Sequence, residues 1–194
     1  MPNLTSKNKK KISKDFQENT TSESVEHLLQ DRIPWLLLGL GGGIVATIIV
    51  SNYEAILSAD LRLAFFIPII VYLSDAVGTQ SETIFIRSLG NKKINFLNYV
   101  LKESLVGLAL GFLFGLFLGI FAAIWLGSIA IAFTVGIAAM INLTIAPILA
   151  VIIPTLIRKQ HKDPALGAGP VATIIQDMLS LLVFFFIASV IILS

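Results

Sequence analysis

Polar and apolar residues segregate along this chain into long blocks, with little short-range alternation. Residues 1–31 are polar and mixed in charge, running from Met1 through Lys7, Lys9, Lys10, Lys11 and Lys14 to Gln30 and Asp31. Their low hydrophobicity predicts disorder over about the first 15 residues. The basic stretch is followed by Asp15, Glu18, Thr20 and Thr21 rather than by an apolar core, so no cleaved signal peptide is expected. From Ser22 the pattern Ser-Glu-Ser-Val-Glu-His-Leu-Leu-Gln-Asp predicts a short helix capped by Ser22 or Ser24. Beyond Arg32 the pattern changes to long apolar runs, and a spanning helix needs about 20 apolar residues. Ile33 to Tyr53 carries no charge and predicts span one, with Trp35 as an interfacial anchor. Leu63 to Leu89 predicts span two, interrupted by Asp75, Glu82 and Arg87. Ser104 to Ile157 is free of charge but far too long for one helix; it breaks at Leu126-Gly127-Ser128 into spans three and four. Gly167 to Leu193 predicts span five, with Asp177 inside it. The pattern therefore predicts an all-α integral membrane protein, with a polar tail over 1–31 and five transmembrane helices over 32–194.

Composition agrees with that reading. Of the 194 residues, 56% are hydrophobic and 13% charged, against about 25% charged in a soluble domain. The mean hydropathy is +0.87. A water-soluble enzyme domain is excluded, and the absence of cysteine removes disulfide scaffolds and Cys-based metal centres. Net charge is only +2, yet its placement is lopsided. Six of the 14 basic residues lie in or beside the N-terminal tail (Lys7, Lys9, Lys10, Lys11, Lys14, Arg32). Arg87, Lys92, Lys93 and Lys102 lie between spans two and three, and Arg158, Lys159 and Lys162 between spans four and five. Arg62 alone falls on the other side. The positive-inside bias predicts a cytoplasmic N-terminus and an outside C-terminus. The tail lysines also suit attachment to anionic lipid of the inner leaflet.

The candidate chemistry lies in the intramembrane carboxylates. A charge inside a span costs about 2.5–3.5 kcal/mol on insertion scales, so it faces water or a partner. Asp177 follows Thr173 by one helical turn, so one face offers a carboxylate and a hydroxyl. Cation binding is favoured over pairing with a basic residue, because Lys and Arg are nearly absent from mid-span. Asp75, Thr79 and Glu82 recur at i, i+4 and i+7 and form a polar stripe, the pattern of a wetted helix face. Asp75 is the second candidate for cation contact. Glu82 is placed at the cytoplasmic mouth, with an ion pair to Arg87 or a lysine as the alternative. Asn142 and Thr144 suit interhelical hydrogen bonds. Gly107, Gly111, Gly115 and Gly119, spaced by four, predict close helix packing rather than pore lining. Pro68, Pro147, Pro154 and Pro170 free backbone carbonyls, which become cation ligands in a wet cavity and only kinks in a dry one. His27 and His161 lie outside the spans, so soft metals lack ligands there. Oxygen donors suit magnesium, calcium or manganese, and magnesium would pass largely hydrated, with Asp177 holding its water. A small five-helix protomer favours a homodimer, in which one carboxylate is presented twice across a central path.

These residues resemble a known family. Arg32-Ile33-Pro34-Trp35 opens span one; Pro68 and Gly78-Thr79-Gln80 lie in span two, followed by Arg87 and Leu89. Asp163-Pro164-Ala165, Gly169-Pro170, Thr173 and Asp177 lead through span five. The ordered set is similar to the transmembrane domain of MgtE-type magnesium transporters over 32–194. The resemblance implies a homodimeric, channel-like, magnesium-selective pore lined mainly by spans two and five. In it Asp177 is the central ion-site residue, while Thr173 and Asp75 are added as metal candidates by the residue pattern above. Gly78, Thr79, Gln80 and Gly169 line the path, and Asp163 stands with Glu82 at the cytoplasmic mouth. Two features depart from the family. Its members usually carry a large acidic cytoplasmic sensor with paired CBS modules before the membrane domain, whereas residues 1–31 alone precede span one here, so no sensing residues are carried over. The family's Gly-Asn-Ala-Gly before Thr-Gln reads Asp75-Ala76-Val77-Gly78.

The expected function is transport of a divalent cation, with Mg2+ as the transported ion, by a homodimer in the lipid of the cell membrane. The alternatives are an ion- or proton-coupled exporter of another small solute, and a non-transporting assembly subunit. No nucleic-acid partner and no enzymatic activity are expected: neither a His-Glu-x-x-His motif nor a convincing Ser–His constellation is present.

Overall fold

The computed structural model describes residues 24–89, 95–159 and 164–193. The expected disorder and the tail lysines, together with Asp163, lie outside the described residues. Six α-helices are described: α1 (Val25–Ser51), α2 (Glu54–Ala59), α3 (Ile67–Leu89), α4 (Phe96–Leu126), α5 (Ile129–Lys159) and α6 (Pro164–Ile192). A 3₁₀ segment, Leu61–Phe66, runs into α3. Five stretches are long and apolar enough to cross a membrane: Ile33–Ser51, Leu61–Leu89, Phe96–Leu126, Ile129–Lys159 and Gly169–Ile192. These are the five spans the hydropathy pattern predicts. Instead of a separate short helix after Ser24, the helix that begins at Val25 is continuous with span one. Nothing between Val25 and Ser51 breaks it: Pro34 is its one proline, and the polar residues before Ile33 are compatible with helix.

The chain divides into two compact units, one ending at Leu38 and the other starting at Gly39. In the second unit α5 is the central helix. Half of its most apolar window is buried, against 6% for the window of span one. It packs on α4, α6 and α3. The α4–α5 seam is built from backbone. A Cβ added to Gly107 would lie 2.8 Å from the Thr144 carbonyl oxygen; at Gly111 it would lie 2.5 Å from that of Met140, and at Gly115 2.6 Å from that of Gly136. At Gly119 the Ala132 carbonyl would be 3.1 Å away. The glycine ladder is therefore a packing face, as its spacing predicts. Pro147 has no N–H for the Leu143 carbonyl, and that oxygen faces Gly107 in the buried seam. Close Cα–H···O contacts of this kind recur where helices cross.

The hairpin that joins these helices is short because its residues suit it. Gly127 closes α4 in the left-handed conformation (φ 63°), donating its N–H to the Ala123 carbonyl at 3.0 Å. Ser128 then caps α5, its hydroxyl accepting from the Ile131 N–H at 3.4 Å. Near the same end, Asp60 caps the 3₁₀ segment by accepting from the Arg62 N–H at 3.0 Å. The Arg62 guanidinium pairs with both carboxylate oxygens of Asp60, at 2.9 and 2.7 Å. It also donates to the Leu126 carbonyl, at 3.3 Å, one of the orphan acceptors that end α4. Phe66 meets Phe121 and Trp125 edge-to-face, and Phe121 and Trp125 pack tilted against each other. The hydrogen bond from Arg62 holds the Asp60 carboxyl below the usual carboxylate range, against the opposing effect of its burial.

Candidate functional site

A cavity of about 470 Å³ opens between α1, α3 and α6 within the second unit. Its polar lining is Thr47 from α1, Tyr72 and Asp75 from α3, and Thr173 and Asp177 from α6. Its apolar walls include Val50, Pro68 and Leu181. The Thr173 hydroxyl donates to Asp75 Oδ1 at 3.1 Å, so the two helices meet through a polar contact at the cavity wall. Asp177 lies one turn along α6 on the same face. Three residues singled out in the sequence, Asp75, Thr173 and Asp177, are thus brought together although 98 positions separate the first two. Among the described residues the one ion pair is Asp60 with Arg62, and neither cavity aspartate has a basic partner. No group of three or more His, Asp or Glu side chains gathers among the described residues. A cation here would meet two carboxylates, hydroxyls and water. That donor set suits a hard ion that keeps much of its hydration.

The other candidates sit elsewhere on the same helices. Gly78 is buried on α3 against the side-chain amide of Gln176. Thr79 and Gln80 are exposed on the protomer surface, as is Gly169. Glu82 is 8% exposed, two turns beyond Asp75. Next to it, Ser81 donates to Glu103 Oε2 of α4 at 2.7 Å. Asn142 makes an interhelical hydrogen bond, its Nδ2 donating to the Ser180 carbonyl at 3.3 Å. Thr144 does not: its hydroxyl turns back to the Met140 carbonyl of its own helix, at 2.7 Å, as hydroxyls in helix interiors do.

Sequence reasoning missed three contributors. Thr47 is a lone polar residue in an apolar stretch, and its hydroxyl also bonds the Gly43 carbonyl at 2.9 Å. Tyr72 stands one turn before Asp75 on a face that periodicity alone does not assign. Gln176 is 3% exposed, and its Nε2 donates to the Ser74 carbonyl and lies 3.2 Å from the Ser74 hydroxyl. A glutamine next to a candidate aspartate was a visible signal, because a buried amide at membrane depth must find a partner.

Comparison with known proteins agrees with the site's chemistry. Residues 67–187 match the family model described as MgtE, divalent cation transporter. The chain is 34% identical over 171 residues to a protein of Enterococcus faecalis named magnesium transporter MgtE, covering 87% of this chain and 38% of that one. The Bacillus subtilis protein of the same name is 32% identical over 161 residues, covering 81% and 36%. That of Thermus thermophilus is 29% identical over 160 residues, covering 81% and 35%. The chain spans little more than a third of the length of these relatives. With five spanning helices and a family match across four of them, this chain is a multi-pass cell-membrane protein that belongs to the MgtE divalent cation transporter family.

Proposed function

We propose that the chain transports divalent cations, Mg2+ foremost, across the cell membrane as a homodimer. Its path runs past Asp177, with the N-terminus and the tail over 1–31 in the cytoplasm and residues 32–194 forming the membrane domain. The observation that carries this reading is the shared cavity of Asp75, Thr173 and Asp177, with no basic residue to neutralise it. Two carboxylates held without counter-charge at membrane depth are costly, and a divalent cation removes that cost by direct attraction. The volume suits a hydrated ion: six waters at about 30 Å³ each occupy about 180 Å³, well under the 470 Å³ of the cavity. In this reading Asp177 holds the ion's water, Asp75 supplies the second charge, and Thr173 orients Asp75. Thr79, Gln80 and Gly169 line the continuing path, and Glu82 and Asp163 stand at the cytoplasmic mouth. The names of the relatives support magnesium as cargo, and the count of basic residues supports the orientation.

The test is Mg2+ flux into proteoliposomes, comparing the wild type with Asp177→Asn, with calcium, manganese and cobalt as competitors. Flux that the substitution abolishes is the expected result. Equal flux in both proteins removes Asp177 from the path, and no flux from either folded dimer favours an assembly subunit or a coupled exporter.

A further inference from the structure

Among the described residues, side-chain hydrogen bonds join α3 and α6 at two places. One, from Thr173 to Asp75, lies at the cavity wall. The other, from Gln176 to Ser74, lies behind it, where both side chains are almost fully buried, at 3% and 1% exposure. Each residue of this second pair directly precedes a cavity aspartate: Ser74 precedes Asp75, and Gln176 precedes Asp177. Successive side chains on a helix point about 100° apart. Fixing Ser74 against Gln176 therefore fixes how far each helix is turned, and with it where both carboxylates point.

The backbone is shaped to accept this contact. The Gln176 amide reaches a carbonyl in the interior of α3, and Gly78, one turn on, leaves the space it occupies. A Cβ at Gly78 would collide with the amide oxygen and would lie 2.6 Å from Nε2. Burial alone does not call for an amide, since an apolar side chain of equal length fills the space without a polar group to satisfy. We propose that Gln176 is a positioning residue: its amide, seated over Gly78 on the Ser74 carbonyl, sets the register of α3 against α6 that aims Asp75 and Asp177 into one cation site. The inference rests on the cation-transport reading above.

Three variants test it, alongside Asp177→Asn. Gln176→Met keeps length and loses the amide. Gly78→Ala pushes away the flexible end of the Gln176 side chain while the rest of the packing stays. Gln176→Ala with Gly78→Ala refills the space without the hydrogen bond. Each is measured for Mg2+ flux as a function of concentration and for the rise in melting temperature that Mg2+ produces. In all three the half-saturating Mg2+ concentration should rise about three- to tenfold, the change that loss of one interhelical hydrogen bond produces. Maximal flux per folded protein should stay within about twofold. The Mg2+-induced rise in melting temperature should shrink in parallel. Wild-type half-saturation in Gln176→Met, or recovery of it in the double variant, overturns the proposal in favour of packing alone. A fall in maximal flux at unchanged half-saturation overturns it as well. Should Gln176→Met fail to fold, Gly78→Ala decides by the same readouts. If Asp177→Asn leaves flux and Mg2+ stabilisation intact, the transport reading itself fails, whatever the Gln176 variants show.

Discussion

Gly111→Ala places one methyl group where α4 meets the backbone of α5. That carbon would lie 2.5 Å from the Met140 carbonyl oxygen and 2.9 Å from the Thr144 hydroxyl, where ordinary contact begins near 3.4 Å. The helices must separate locally by roughly 1 Å, and neither can yield by a rotamer change, because the obstacle is main chain. Overpacking of this kind costs about 1–3 kcal/mol. Gly43→Ala is the matched control: its Cβ would meet nothing within 4 Å, and it gains about 0.5–1 kcal/mol of helix propensity. The two variants should therefore differ by about 1.5–4 kcal/mol, with Gly111→Ala the less stable. Reversible denaturant unfolding in mild detergent, followed by helical circular dichroism, reads the difference. Equal midpoints, or a more stable Gly111→Ala, would refute the backbone seam and leave the ladder as a lipid-facing or pore-facing stripe.

Three further outcomes follow from the geometry. Asp75→Asn keeps the shape and the acceptor for the Thr173 hydroxyl but removes one charge, so half-saturating Mg2+ in the flux assay should rise about tenfold, in keeping with the strength of hydrogen bonds to charged groups. Gly127→Ala should lower unfolding stability by about 1–2 kcal/mol, the cost of a side chain in the left-handed region, since no neighbour blocks its Cβ. Because Arg62 depresses the Asp60 carboxyl in the folded protein, the stability it contributes is present above about pH 4, where the unfolded group ionises, and is lost as pH falls through the folded value. The melting-temperature advantage of wild type over Asp60→Asn should thus shrink on acidification from pH 7 to pH 3.

Charge-free runs made the five spans legible, and Leu126-Gly127-Ser128 marked the one break inside the longest run, where a glycine and a serine supply the two caps a tight helical hairpin needs. Helix boundaries were less legible. The helix that carries span one extends back to Val25 because polar residues continue a helix as readily as they end it. The short helix at Glu54–Ala59 and the 3₁₀ segment after it were hidden because what fixes them is tertiary: Asp60 and Arg62 are neighbours in sequence, but the Leu126 carbonyl that Arg62 also reaches is 64 positions away. At the site, the i, i+4 relation of Thr173 and Asp177 could be read directly. That Asp75 would join them depended on the rotation of α3, which the Ser74–Gln176 contact determines and no periodicity encodes. The same rotation turns Gly78 toward Gln176 while Thr79, the next residue, is exposed.

The glycine ladder has a mechanical consequence. Interfaces made of side chains can creep, since rotamers repack as helices slide. The α4–α5 seam has few such degrees of freedom: glycine faces carbonyl along four turns, and sliding by one residue would set leucine or phenylalanine against the opposing main chain. It has one seating and no graded neighbours, so α4 and α5 travel together as a stiff frame. If the proposed path past the aspartates opens and closes, that displacement falls on α1, α3 and α6, which line the cavity with side chains.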